Sequence, residues 1–209
     1  MRSTHHTPPP TAYRIGRRLL VASPGMDVAP EAGQIVLSID AGGALGDGAH
    51  PTTQLCLAAL ARHTRPGALR DLGTGTGILA IAAAKLGAAP ILAVEIDTAA
   101  VQIARANVER NDVAASVQVA QGSLTEVVAG RFGLTQASLV VANILAHVLV
   151  DFFTQGLADT VTPGGLLILS GILRTQGPEI RTRLGWHGLA QVAEERRDEW
   201  LCVIAQRAA

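Results

Sequence analysis

A chain of 209 residues, 48% of them hydrophobic, is long enough to bury one sizeable core. Its formal net charge is zero and only 16% of its residues are charged, which excludes a domain-wide basic field for coating nucleic acid. Cys56 and Cys202 show no C-x-x-C spacing, so neither a zinc site nor a disulfide framework is indicated.

The apolar runs are cut by Lys85, Asn143 and Asp151 before they could span a bilayer, and the start has no signal-peptide order. A cytoplasmic protein with reduced, buried thiols and no membrane or direct nucleic-acid partner is expected. Residues 1–12 are polar and proline-rich and read as a disordered tail, in which the adjacent His5 and His6 make a poor metal site. Residues 13–209 then form one domain. Arg17-Arg18 and Arg196-Arg197 read as solvated charges.

From Tyr13 to Asp40, "RRLLVASPG" and "GQIVLSID" are broken by Pro24 and Pro30 and predict strands or a strap packed on the main domain. Thr52 to His63 predicts a helix, with Pro51 at its start. Strand and helix then alternate: "ALRDL", Gly77 to Leu86; "ILAVEI", Thr98 to Asn111; "SVQVA"; "SLVVAN", Ile144 to Val161; "GLLILSG", Thr175 to Leu184. These strands alternate little, as in a parallel sheet covered on both faces. The final "LAQVAEERRDEWLCVIAQR" leaves no room for a helix and predicts an antiparallel hairpin. The fold class is therefore α/β: a doubly wound, seven-stranded, mostly parallel Rossmann-like sheet closed by a C-terminal hairpin. That arrangement resembles the class I S-adenosylmethionine (SAM)-dependent methyltransferase core.

Ligands in open α/β sheets lie beyond the carboxyl ends of the strands near the switch point, which directs attention to "DLGTGTG". Gly73, Gly75 and Gly77 strip side chains from the strand-to-helix turn, and the helix start behind them is expected to offer unpaired N–H groups. A dinucleotide fingerprint counted from Gly73 and Gly75 needs Gly or Ala at position 78, which is Ile78. Twenty residues on, the second strand ends in "VEID", where Glu95, with Ile96 beside it, is the candidate for ribose hydroxyls. Asp97 competes, but it also makes a natural N-cap for the following helix. Asp71 is a candidate for the cofactor's amino group, directly or through water, or else a structural acid. Ser123, after the third strand, lies where an adenine ring would fall.

Two other segments bear on the site. "GDGAHPTTQLCL" places the Thr53 hydroxyl and a helix start where they could cover the methionine end of the cofactor. Asn143 interrupts an apolar strand tip, where N-methyltransferases use a side-chain oxygen to accept hydrogen bonds from the acceptor amine. His50 and His147 lie near this region, but packing or capping accounts for each.

Together, "ALGDGAHPTTQLCL", "DLGTGTGILAIAAAKLGA", "VEID", "VVANILA", "TPGGLLILSGIL" and "DEW" resemble the PrmA-type ribosomal protein L11 methyltransferases, in order, from about Ile15 to Arg207. The resemblance implies SAM as methyl donor, S-adenosylhomocysteine as product, and a protein lysine or N-terminal α-amine as acceptor. It puts Thr53, Gly73, Glu95 and Asn143 at cofactor-binding positions. Two features depart from the family. Its loop usually reads G-T-G-T-H-P-T-T, where this chain has Asp47 and Ala49, and its members carry a separate N-terminal recognition domain ahead of this region. A small-molecule acceptor, a noncatalytic SAM-binding module and a nucleotide-dependent oxidoreductase are the competing readings.

Overall fold

The computed structural model describes residues 12–42 and 46–209. The disordered-tail reading, with His5 and His6, falls outside these residues, except that Ala12 already belongs to a strand. The region before Asp40 forms a small sheet of β1 (Ala12–Ile15), β2 (Leu19–Ala22) and β3 (Ile35–Ser38), in that order. β1 pairs antiparallel with β2, and β2 parallel with β3. The free edge of β3 is met by side chains instead of a strand. Asn111 exchanges two hydrogen bonds with the Ser38 backbone, at 3.0 and 2.7 Å, and Asn107 exchanges two with Asp40, at 3.0 and 2.9 Å.

The main sheet contains β4 (Leu69–Leu72), β5 (Ile91–Glu95), β6 (Val117–Gln121), β7 (Ala137–Asn143), β8 (Val161–Leu173), β9 (Leu189–Arg197) and β10 (Trp200–Arg207). Their order is β6-β5-β4-β7-β8-β10-β9, parallel from β6 to β8, with β10 antiparallel to β8 and to β9. From β4 the chain winds outward through β5 and β6, then returns to lay β7 on the other side of β4. The crevice at the carboxyl ends of β4 and β7 is thus the switch point.

Helices cover both faces. One face packs against α1 (Pro51–His63), α2 (Ile78–Lys85) and α3 (Thr98–Arg110), together with the small sheet. The other packs against α4 (Leu124–Val128), α5 (Ala146–Thr154) and α6 (Gly177–Trp186). The run expected as one helix from Ile144 to Val161 is divided. α5 stops at Thr154 because Gly156 takes φ +93°, a left-handed helix terminator, and a short 3-10 turn over Leu157–Thr160 leads directly into β8. The short α4 was not expected. Its Ser123-x-x-Glu126 start is a capping box, with the Ser123 N–H donating to Glu126 Oε2 at 2.7 Å.

β4 buries charge on both of its faces: Arg70 beside Leu72, and Asp71 beside Leu69. The Arg70 guanidinium reaches the carbonyls of Thr135 and Thr160 at the far end of the sheet, and burial lowers its pKa to about 10. Cys56 on α1 and Cys202 on β10 are both buried, free and in hydrogen-bonding contact, which with burial pushes the Cys56 thiol well up. Among the described residues no helix is long and apolar enough to cross a membrane.

Candidate functional site

The glycine turn after β4 is built by its backbone. Gly73, Gly75 and Gly77 take φ of +72°, +53° and +83°, which L-residues rarely adopt. Much of the turn's own donor capacity is spent within the protein, while no acceptor is seen among the described residues for the Thr76, Ile78 and Leu79 N–H groups at the start of α2. Gly73 and Thr74 donate to the Val94 carbonyl at 2.9 and 3.0 Å, and Gly77 donates to Thr74 at 2.9 Å. The Gly75 N–H is held by Glu95 Oε2 at 3.0 Å, and the Ala80 N–H by Asp71 Oδ2 at 3.1 Å. A ligand here therefore meets acid beside the turn, with four of the turn's own amides already engaged by protein oxygens. The close approach of helices that dinucleotide folds achieve through a later small residue occurs at Gly77, whose Cβ would lie 3.4 Å from Ala104.

Two acids flank the turn. Glu95, at the tip of β5, accepts from Gly75 on Oε2 and from the Ile96 and Asp97 N–H groups on Oε1, at 2.8 and 3.2 Å. Oε2 keeps a lone pair free. Asp71 is wholly buried. Its Oδ2 accepts from the Thr74 hydroxyl at 2.6 Å as well as from Ala80, whereas Oδ1 has no partner among the described residues. Burial raises its carboxyl to about 7 against those two hydrogen bonds, and the nearby Glu95 charge adds to the rise. A buried carboxyl with a second acid nearby favours a cationic ligand once it is ionised.

The remaining predicted residues lie around the same sheet end. Ile96 is 71% exposed beside Glu95. Ser123 sits at the tip of β6, but both its N–H and its hydroxyl are engaged by Glu126 in capping α4. Asp97 caps α3, accepting from the Ala99 N–H at 2.7 Å. At the tip of β7 the half-buried Asn143 donates from Nδ2 to the buried Thr53 Oγ1 at 3.3 Å. That bond fixes the amide orientation and leaves Oδ1 without a partner among the described residues. The Asn143-Ile144 turn is seated between two glycines. A Cβ on Gly73 would lie 2.7 Å from Ile144 Cγ2, and one on Gly171, at φ +81°, would lie 2.2 Å from the Ile144 carbonyl oxygen.

The loop before α1 is held by His50, which caps as one of its two sequence readings had it, by Asp47 and Arg197, and by Gln54, which sequence reasoning did not single out. His50 caps α1 by accepting the Thr52 N–H on Nδ1 at 3.3 Å, with its ring edge-on to Trp200, centroids 5.1 Å apart. Nδ1 also lies 2.7 Å from the Thr52 hydroxyl, so the polar contacts of this nitrogen are all to the start of α1. Gln54 Nε2 donates to the Gly48 and Ala49 carbonyls at 2.9 and 3.1 Å, and Arg197 from the terminal hairpin grips Gln54 Oε1. Asp47 turns the loop by accepting the Ala49 N–H at 2.8 Å. The Gly42–Gly48 stretch contains residues 43–45, which are outside those described. His147 is exposed on α5. Of the residues not singled out, only Gly171 had a readable signal, as a glycine inside an apolar strand that marks a close backbone approach.

Comparison with known proteins bears on this arrangement. The family described as "Ribosomal protein L11 methyltransferase (PrmA)" matches residues 6–208. The chain is 44% identical over 92% of its length to a ribosomal protein L11 methyltransferase of Pelotomaculum thermopropionicum, and 41% identical over 93% to one of Chloroflexus aurantiacus. It spans 61% and 65% of those two proteins. Among solved structures, a ribosomal protein L11 methylase from Lactobacillus delbrueckii subsp. bulgaricus superimposes with TM-score 0.85 at 32% identity, over 95% of this chain and 99% of that one. An O-methyltransferase family protein from Burkholderia thailandensis, at 16% identity and TM-score 0.62 over 75% of this chain and 56% of that one, shares the fold.

Proposed function

The chain belongs to the ribosomal protein L11 methyltransferase (PrmA) family, and from that premise we propose that it transfers a methyl group from SAM to an amine of ribosomal protein L11, with residues 13–209 acting as one catalytic unit. The acceptor is read from the names of its relatives, and lysine or the N-terminal α-amine supplies the nucleophile. The observation that carries the reading is the glycine turn itself. The Gly73, Thr74, Gly75 and Gly77 amides are occupied by protein oxygens, while Glu95 Oε2 keeps a lone pair free beside it and the buried Asp71 Oδ1 has no partner among the described residues. Two acids beside the turn suit a sulfonium and an ammonium better than the pyrophosphate of the oxidoreductase reading.

The residues present fit the cofactor by the same test. Gly75, with no side chain, leaves it room against the backbone, and the buried Asp71, when ionised, favours its ammonium group electrostatically. Glu95 Oε2 accepts a ribose hydroxyl, and the Thr53 hydroxyl faces its carboxylate. Ile96 offers an apolar surface to the adenine; Ser123, being engaged by Glu126, can contribute only a hydroxyl lone pair. When bound, SAM supplies a methyl group on a positively charged sulfur, electrophilic enough that no metal is needed to activate it.

The protein's task is alignment and exclusion of water, and positioning of this kind contributes about 7 to 11 kcal/mol to such reactions. Asn143 Oδ1, held in place by the Asn143–Thr53 bond, accepts an N–H of the acceptor amine and turns the nitrogen lone pair toward the site. The amine must arrive deprotonated. Because His50 Nδ1 is committed to α1, the proton leaves to solvent, and the rate follows the acceptor's own ionisation. The two buried thiols suit a reducing cytoplasm.

Asn143→Ala tests the reading. Turnover on L11 should fall about 100-fold while SAM affinity measured by calorimetry changes little, since the lost contact is to the acceptor. Unaltered turnover would remove Asn143 from the reaction.

A further inference from the structure

Thr76, fully buried in the glycine turn, makes two hydrogen bonds that lead to the two ends of one loop. Its hydroxyl donates to the Gly46 carbonyl at 2.7 Å. Its own carbonyl accepts from Asn107 Nδ2 at 2.9 Å, and that same amide nitrogen donates to the Asp40 carbonyl at 2.9 Å. Asn107 Oδ1 completes the clasp by accepting the Asp40 N–H at 3.0 Å. Thr76 is therefore joined to Gly46 directly and, through Asn107, to Asp40 just beyond β3.

The fit at Gly46 is close. Its φ is +105°, and a Cβ there would lie 3.0 Å from Thr76 Oγ1. Beyond Gly46 only four residues separate the joint from α1, and the Gly48 and Ala49 carbonyls are pinned to Gln54 on that helix. α1 carries Thr53, which orients Asn143. Among the described residues the Thr76 hydroxyl makes the only side-chain hydrogen bond between the Gly46–His50 stretch and the glycine turn.

We propose that Thr76 is a positioning residue for SAM, its hydroxyl holding the loop before α1 at a fixed height over the glycine turn so that the two close on the methionine end together. This rests on the cofactor reading given above. Thr76 does not touch the reacting atoms; it acts through Gly46. A purely structural threonine at this buried position would be replaced by valine at some cost in stability and none in cofactor affinity beyond it, whereas a joint loses affinity with the hydroxyl alone.

The experiment is calorimetric titration of SAM into the full chain and into its Thr76→Val, Thr76→Ala and Thr76→Ser variants, with a thermal melt of each protein without ligand. The expected result is a loss of about tenfold in affinity for T76V and T76A, the scale of one hydrogen bond. T76S should lie within about twofold of the parent, and T76V should melt within a few degrees of it. T76V binding as tightly as the parent overturns the proposal. So does T76S falling as far as T76V, or affinity falling only where the melting temperature collapses. If the parent chain itself binds no SAM, the cofactor reading fails and this inference with it; parent binding with T76V unimpaired strikes the inference alone.

Discussion

At the tip of β7, a single contact to Thr53 turns the Asn143 amide so that its oxygen is the atom left facing outward. The sequence marked Asn143, because a polar residue interrupting an apolar strand tip needs a reason. Thr53 was legible only by position, and its bond to Asn143 bridges residues that the sequence holds 90 apart. His50 illustrates the opposite case: its place beside the reaction centre invites a general base, but its Nδ1 is spent on the Thr52 N–H. His50→Asn, which keeps an N-capping acceptor, should leave the pH profile of kcat unchanged in shape, rising toward the acceptor's pKa. A new inflection near neutral pH, or the loss of one, would return His50 to the chemistry.

The terminal elements of each strand set where these side chains stand. Gly171 on β8 admits the Ile144 carbonyl to a position that a Cβ would fill, and its φ of +81° opposes any replacement. Gly171→Ala should therefore destabilise the fold by about 1 to 3 kcal/mol in urea melts and lower turnover further than that loss explains, because the Asn143 turn must move. Stability and turnover both at the parent level would show that the turn tolerates displacement. Asp97 tests a simpler device. Its capping bond to Ala99 is exposed and local, so Asp97→Ala should cost about 1 kcal/mol of stability and leave SAM affinity unchanged; lost SAM affinity would instead favour the ribose role over Glu95. These element boundaries were readable wherever a cap or glycine stood in the sequence. The division of residues 144–161 was missed because Gly156 sits inside an otherwise apolar run, and α4 because five residues give too little periodicity to see.

Across the whole molecule the strand order follows from the alternation of strand and helix, and the hairpin from the absence of room for another helix. What alternation could not disclose is charge inside β4, where four residues are all buried although two of them, Arg70 and Asp71, are ionisable. Asp71 links stability to pH. Its folded pKa, about 7, lies above the ordinary 3.8, so the folded state holds a proton that the unfolded chain has released over that range. Its contribution is full below 3.8 and is lost as pH rises through about 7, a decline of up to about 4 kcal/mol. Asp71→Asn should flatten this part of the profile when urea unfolding is compared at pH 5 and pH 8, and parallel profiles would show that the carboxyl is ionised throughout. At pH 8, where Asp71 is ionised, the same variant should weaken SAM binding, since an amide cannot supply the negative charge.

The proposed methyl transfer is tested most directly by incubating the full chain with methyl-labelled SAM and purified ribosomal protein L11, followed by mass spectrometry of the L11 peptides. Label is expected on lysine side chains or the N-terminal amine, dependent on Asn143. A chain that binds SAM yet leaves L11 unlabelled would contradict the acceptor, and one that neither binds SAM nor transfers label would contradict the account as a whole.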